Sequence, residues 1–91
     1  MNRFPSKEIV ERLRRTYPKG TVVELVRMND DLHAPPAGTH GTVMSVDDIG
    51  TIHVRWQNGS GLGVAYGEDE CKIVQKKQVN QRFIYRINIE I

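Results

Sequence analysis

A chain of 91 residues, 38% hydrophobic and 26% charged, has the size and composition of one soluble globular domain, and it is too rich in apolar residues to stay disordered. Its formal net charge of +2 is too small to name nucleic acid or an anionic membrane as partner, and no apolar run approaches the roughly 18 residues a spanning helix needs. With Cys71 as the single cysteine, neither an internal disulfide nor a multi-cysteine metal site can form.

Residues 6–16 read as a short N-terminal helix. Ser6 is placed to cap it, Glu8 falls in the first turn, and Arg14 and Arg15 fall in the last, as the helix dipole prefers. Phe4, Ile9 or Val10, and Leu13 are expected on one apolar stripe, and Tyr17-Pro18-Lys19-Gly20 ends the helix. So short a helix is not stable alone and must dock on the rest of the chain.

Thr21–Met28 is rich in β-branched residues and reads as a strand, with Val23 and Leu25 on one face and Glu24 on the other. Residues 29–38 form a polar, proline-bearing loop, long for a hairpin connection. Thr42–Val46 is the next strand, with Met44 and Val46 expected on one face and Val43 on the other. Asp47-Asp48-Ile49-Gly50 is a tight turn in which Gly50 takes a positive φ. In the return strand, Thr51–Trp56, residues Ile52, Val54 and Trp56 face one way, and Thr51, His53 and Arg55 the other. That alternation belongs to an antiparallel strand with one wet face. Asn58-Gly59 signals another turn, Leu62–Tyr66 a glycine-interrupted strand, and Cys71–Val74 a short last one. Gly61 and Gly63 mark bends or close backbone approach.

These elements predict a mainly β fold: a small antiparallel barrel of about five strands over residues 20–75, filled by Val23, Leu25, Ile52, Val54 and Trp56. Residues 82–91 alternate strictly and add a C-terminal strand. Phe83, Tyr85, Ile87, Ile89 and Ile91 share one face. An unpaired edge this apolar invites aggregation, so the strand is expected to pair within the chain or to build a homo-oligomer through residues 82–91. The whole chain, 1–91, is expected to be a single domain.

Little in the sequence marks chemistry. His33, His40 and His53 show no ligand spacing, and residues 47–50 are too short for a calcium loop. Residues 58–63 are glycine-rich, but no helix follows and the Walker lysine is missing, so a turn is the better reading than a phosphate cradle. Ser45, Ser60 and Cys71 lack a neighbouring base, and Cys71 reads as a packed thiol. No catalytic residue, metal site or cofactor is therefore assigned, and the chain is not expected to be an enzyme. With no apolar signal segment at its start, it is expected in the cytoplasm.

Three stretches, Tyr17–Leu25, Ala34–Val43 and Val46–Gly63, resemble a family of small proteins of bacteria, mobile elements and phages that is catalogued only as a domain of unknown function. The resemblance spans roughly residues 10–75. It implies an SH3-like barrel acting as an interaction module in a bacterial cell or infected host, and it carries over no catalytic residues.

The leading expectation is a non-catalytic module contacting a protein partner through residues 29–41, 47–50 and 57–63. Asp30, Asp31, His33, Arg55, Asn58 and Ser60 are its candidate binding residues. The charge pattern offers an alternative. Residues 1–28 and 72–91 each carry a net +4 and residues 29–71 a net −6. If the two ends meet, Arg12, Arg14, Arg15, Lys19, Lys72, Lys76, Lys77 and Arg82 form a basic surface for nucleic acid. A third expectation is an oligomer holding a small anionic nucleotide between subunits, touched by Arg55, Ser60 or the glycine loop. No membrane partner is expected.

Overall fold

In the computed structural model, residues 4–29 and 32–75 are described. Helix α1, Lys7–Thr16, begins where Ser6 Oγ accepts the N–H of Ile9 at 3.2 Å. It closes with the Tyr17 N–H on the Leu13 carbonyl at 2.8 Å, one residue before Pro18. Val10 is its buried residue, while Leu13 packs on the sheet core. The expected stripe therefore runs through Val10 rather than Ile9, and Phe4 remains 58% exposed. Arg14 fastens the helix to the sheet: its Nε donates to the Val46 carbonyl at 3.1 Å and its Nη2 to Asp48 Oδ1 at 2.7 Å.

Among the described residues five antiparallel strands follow: β1 Val22–Arg27, β2 His40–Val46, β3 Thr51–Trp56, β4 Val64–Ala65 and β5 Glu70–Gln75. They form one sheet in the order β4-β3-β2-β1-β5. The sheet curls so far that its two edge strands, β4 and β5, touch. They share no ladder, so the sheet stays open along that seam where a closed barrel was expected. The expected strand over 82–91 lies outside the described residues.

Val23, Leu25, Val43, Val46, Ile52, Val54, Trp56 and Val64 make the core, and include all five residues expected there. Trp56 is 1% exposed, and its indole N–H donates to the Leu62 carbonyl at 2.8 Å. The Leu62 N–H meanwhile donates to Ser60 Oγ at 3.2 Å. These side-chain bonds occupy the backbone that a longer β4 would pair, and the expected strand Leu62–Tyr66 shrinks to two residues.

A second correction concerns β2. Val43 and Val46 both point inward, whereas strict alternation puts them on opposite faces. Between Val43↔Val54 and Ser45↔His53 the register shifts by one residue, a β-bulge centred on Met44. The extra residue restores an inward face for Val46.

The β2–β3 turn is held by one carboxylate. Asp47 Oδ1 accepts the N–H groups of Ile49 and Thr51 at 3.1 and 2.9 Å, and its Oδ2 lies 2.8 Å from His53 Nε2. Partial desolvation pushes the Asp47 carboxyl up, but the hydrogen bonds from His53 and the Thr51 and Ile49 amides outweigh it and hold the group below its ordinary range. A carboxyl depressed on folding stabilises the domain above its unfolded pKa, and that contribution is lost as pH falls through the folded value. Acid unfolding of Asp47→Asn, followed by circular dichroism, is therefore expected to show a smaller loss of stability below the ordinary carboxylate range than the wild type. An unchanged acid limb would remove Asp47 from this role.

Candidate functional site

Three surfaces stand out beyond the core. The first lies beside β1. Its loop is tied down at both ends: the Asn29 N–H donates to Asp69 Oδ1 at 2.9 Å, and Gly38 N–H and Leu25 N–H exchange bonds with the Leu25 and Thr39 carbonyls, both at 2.8 Å. Thr39 adds two bonds to the Pro36 carbonyl, from its N–H and its hydroxyl. Between these ties a groove of about 490 Å³ separates Leu25–Met28 from Ala34–Ala37. The two prolines stiffen its far wall, since their φ is fixed. Arg27 is the single charged residue among its lining, and Val26 opens to solvent with 39% exposure. Of the binding residues expected on this loop, His33 is exposed; Asp30 and Asp31 lie outside the described residues.

The outer face of the sheet is the second surface. Period-two alternation points Glu24, His40 and Lys72 away from the core, and the register aligns them across β5, β1 and β2. His40 Nε2 lies 3.3 Å and Lys72 Nζ 3.7 Å from the two Glu24 oxygens. Arg55 stands exposed in the next row, opposite Thr42, with no ion pair among the described residues. Asn58 and Ser60 build the β3–β4 turn: Asn58 Oδ1 accepts the Ser60 N–H at 3.0 Å, and the Ser60 carbonyl accepts the Trp56 N–H.

The candidate basic residues divide between the two sides of the sheet. Helix α1 lies on the core side through Leu13, whereas Lys72 points outward beside Glu24. Arg12, Arg15 and Lys19 are exposed, and Arg14 is engaged with Asp48. Lys76, Lys77 and Arg82 lie outside the described residues.

The third surface was not foreseen. At the seam between β4 and β5, a cleft of about 220 Å³ is floored by Leu13, Tyr17, Ile52 and Val64 and rimmed by Tyr66 and residues 69–71. Uninterrupted Glu68-Asp69-Glu70 beside Tyr66 was its signal in the sequence. Inside it, burial pushes the Cys71 thiol up to about 11; the Tyr17 hydroxyl opposes this and the Glu70 charge adds to it. Burial likewise raises the Tyr17 hydroxyl, with Cys71 and Glu70 contributing. Cys71 is thus a protonated thiol at neutral pH. A thiol titration with iodoacetamide is expected to show slow alkylation at pH 8 and a rise only toward pH 11 in the folded chain, with ordinary reactivity in denaturant. Equal rates in the folded and denatured chain would contradict the packed thiol.

Among the described residues, no group of three or more His, Cys, Asp or Glu could hold a metal ion, and no helix is long and apolar enough to cross a membrane. The family model described as Domain of unknown function (DUF4314) matches residues 6–74. No curated protein and no solved structure matches the chain.

Proposed function

Because the chain belongs to the family Domain of unknown function (DUF4314), whose description assigns no activity, we propose from the geometry that it is a non-catalytic module that binds a protein partner through the loop groove. The observation that carries this reading is the groove itself, an open channel of mixed polar and apolar surface between Leu25–Met28 and Ala34–Ala37. Hydrogen bonds at both ends hold its walls apart before any partner arrives, so little ordering entropy is lost on binding. Val26 supplies exposed apolar area at its edge, and Leu32, 89% exposed, stands on the same loop. The groups that resemble a reactive centre are otherwise occupied. The Asp47–His53 pair organises a turn and the Glu24–His40 pair bridges two strands, while Cys71 keeps its proton.

The test uses the immobilised full chain against extract of the organism that encodes it, alongside Val26→Asp and Ala37→Asp. Both positions are exposed, so circular dichroism should show an unchanged fold. A protein held by the wild type and lost from both variants is the expected result. Retention of every captured protein by both variants defeats the proposal. Replacing Asp30, Asp31 and His33 together by alanine asks whether the rest of the loop joins the contact; full retention removes these three residues from it.

A further inference from the structure

The seam cleft has a chemistry different from the loop groove, and we infer that it receives a second kind of occupant: one aromatic or aliphatic side chain of another protein, flanked by lysine or arginine. This inference does not depend on the reading of the loop groove.

The apolar half of the argument is the continuity of the surface. Leu13, Tyr17, Ile52 and Val64 floor the cleft, and Tyr66, 47% exposed, forms its wall. The apolar strip continues beyond that wall. A Cβ at Gly50 would lie 3.5 Å from Tyr66 Cβ and 2.6 Å from Pro5 Cγ, which places Pro5, Gly50 and Tyr66 side by side. Ile49, 46% exposed, adjoins Gly50. An apolar cleft open to an apolar shelf fits a side chain and a short piece of the chain that bears it.

The charged half names what flanks that side chain. Among the described residues no lysine or arginine lines the cleft, whereas Asp69 and Glu70 do, and Glu68 stands exposed in the same turn. Asp69 spends both oxygens on backbone N–H groups, of Asn29 and Ala65, each at 2.9 Å; these hold the carboxylate in place without cancelling its charge. Among the described residues Glu70 has one cation near it, Arg27 at 3.7 Å, and both side chains are more than half exposed. Glu68 has no ion pair among the described residues. Among the described residues, three carboxylates against one guanidinium leave a negative rim over an apolar floor. Such a rim repels nucleic acid and acidic peptides and draws a cationic one.

The test is amide-resolved NMR on the full chain. The probe is a capped pentapeptide with one phenylalanine between two pairs of lysines. Its controls carry alanine for phenylalanine, or glutamates for the lysines. Saturable shifts at Leu13, Tyr17 and residues 64–71, absent with either control, are expected. The double variant Glu68→Lys/Glu70→Lys should weaken binding at least tenfold. Glu68→Gln/Glu70→Gln, which keeps shape and removes charge, should weaken it less. No shift, shifts centred elsewhere, or equal affinity in the lysine variant overturns the inference. Residues 76–91 hold similar chemistry in Lys76, Lys77, Arg82 and Phe83. If the cleft resonances of the free chain move on Phe83→Ala toward positions the probe then reverses, the occupant is the chain's own terminal segment, and an outside partner is overturned. Variants at Val26 and Ala37 should leave probe binding unchanged, so failure at one surface is separable from failure at the other.

Discussion

Trp56→Ala is expected to lower the free energy of unfolding by about 3–5 kcal/mol, the range for truncating a large buried aromatic. Set against a typical total of about 5–15 kcal/mol for a small domain, the loss would remove a large share of the stability. Two separate terms add here. The ring is 1% exposed and touches the centre of the core, so its removal opens a cavity that the pinned strands cannot close. Its N–H is also the donor to the Leu62 carbonyl at 2.8 Å, and that carbonyl loses its partner. Trp56→Phe separates the terms, because it keeps much of the apolar volume and removes the donor. An unsatisfied carbonyl costs about 1–3 kcal/mol, so Trp56→Phe should fall well short of the alanine variant. Urea midpoints measured by circular dichroism decide it. Alanine and phenylalanine variants of equal stability would mean that the core contact contributes nothing beyond the hydrogen bond.

Gly41→Ala is the second large effect. Gly41 lies in the central strand β2, opposite Val23 on one side and Trp56 on the other. A Cβ there would sit 2.5 Å from Val54 Cγ1, 2.7 Å from Trp56 Cε3 and 2.9 Å from the Arg55 carbonyl oxygen. The two side chains could shift only by disturbing the core. The carbonyl belongs to the β3 backbone and has nowhere to go. Overpacking of this kind costs about 1–3 kcal/mol, and the rigid backbone contact argues for the upper end or beyond. Val54→Ala removes the nearest obstacle, so Gly41→Ala/Val54→Ala should be more stable than the sum of the single variants predicts. Strict additivity would show that Val54 is not what the new methyl meets. Gly59→Ala is a useful contrast: a methyl there meets nothing within 4 Å, and the cost of its φ of +91° is the roughly 1–2 kcal/mol of a left-handed residue.

The helix, the β2–β3 hairpin and most of the core could be read from neighbouring residues. Ser6 caps where a serine before an amphipathic run should cap, and the inward face of Thr51–Trp56 follows from alternation alone. What escaped reading depends on partners distant in the chain. The bulge at Met44 comes from the fit of β2 against β3, which no local pattern in 40–46 announces. The short β4 reflects the Trp56 indole and the Ser60 hydroxyl capturing the backbone of Leu62. The seam cleft unites Leu13 and Tyr17 with residues 64–71, and exists because the sheet curls until its edges meet. The loop groove was half legible: a long proline-bearing loop drew attention to residues 29–41, but its opposite wall, Val26–Met28, read only as strand.

Arg14 spans 32 and 34 residues of chain to reach Val46 and Asp48. Both acceptors belong to the hairpin, whose own turn closes over four residues held by Asp47. Closing a short loop costs less entropy than closing a long one, so the hairpin should assemble first and the helix settle on it late. In chevron kinetics, Arg14→Ala should then quicken unfolding and leave the folding rate nearly untouched, as for any contact absent from the transition state. A folding rate that drops in step with stability would instead place the first helix of the chain among the earliest structures to form.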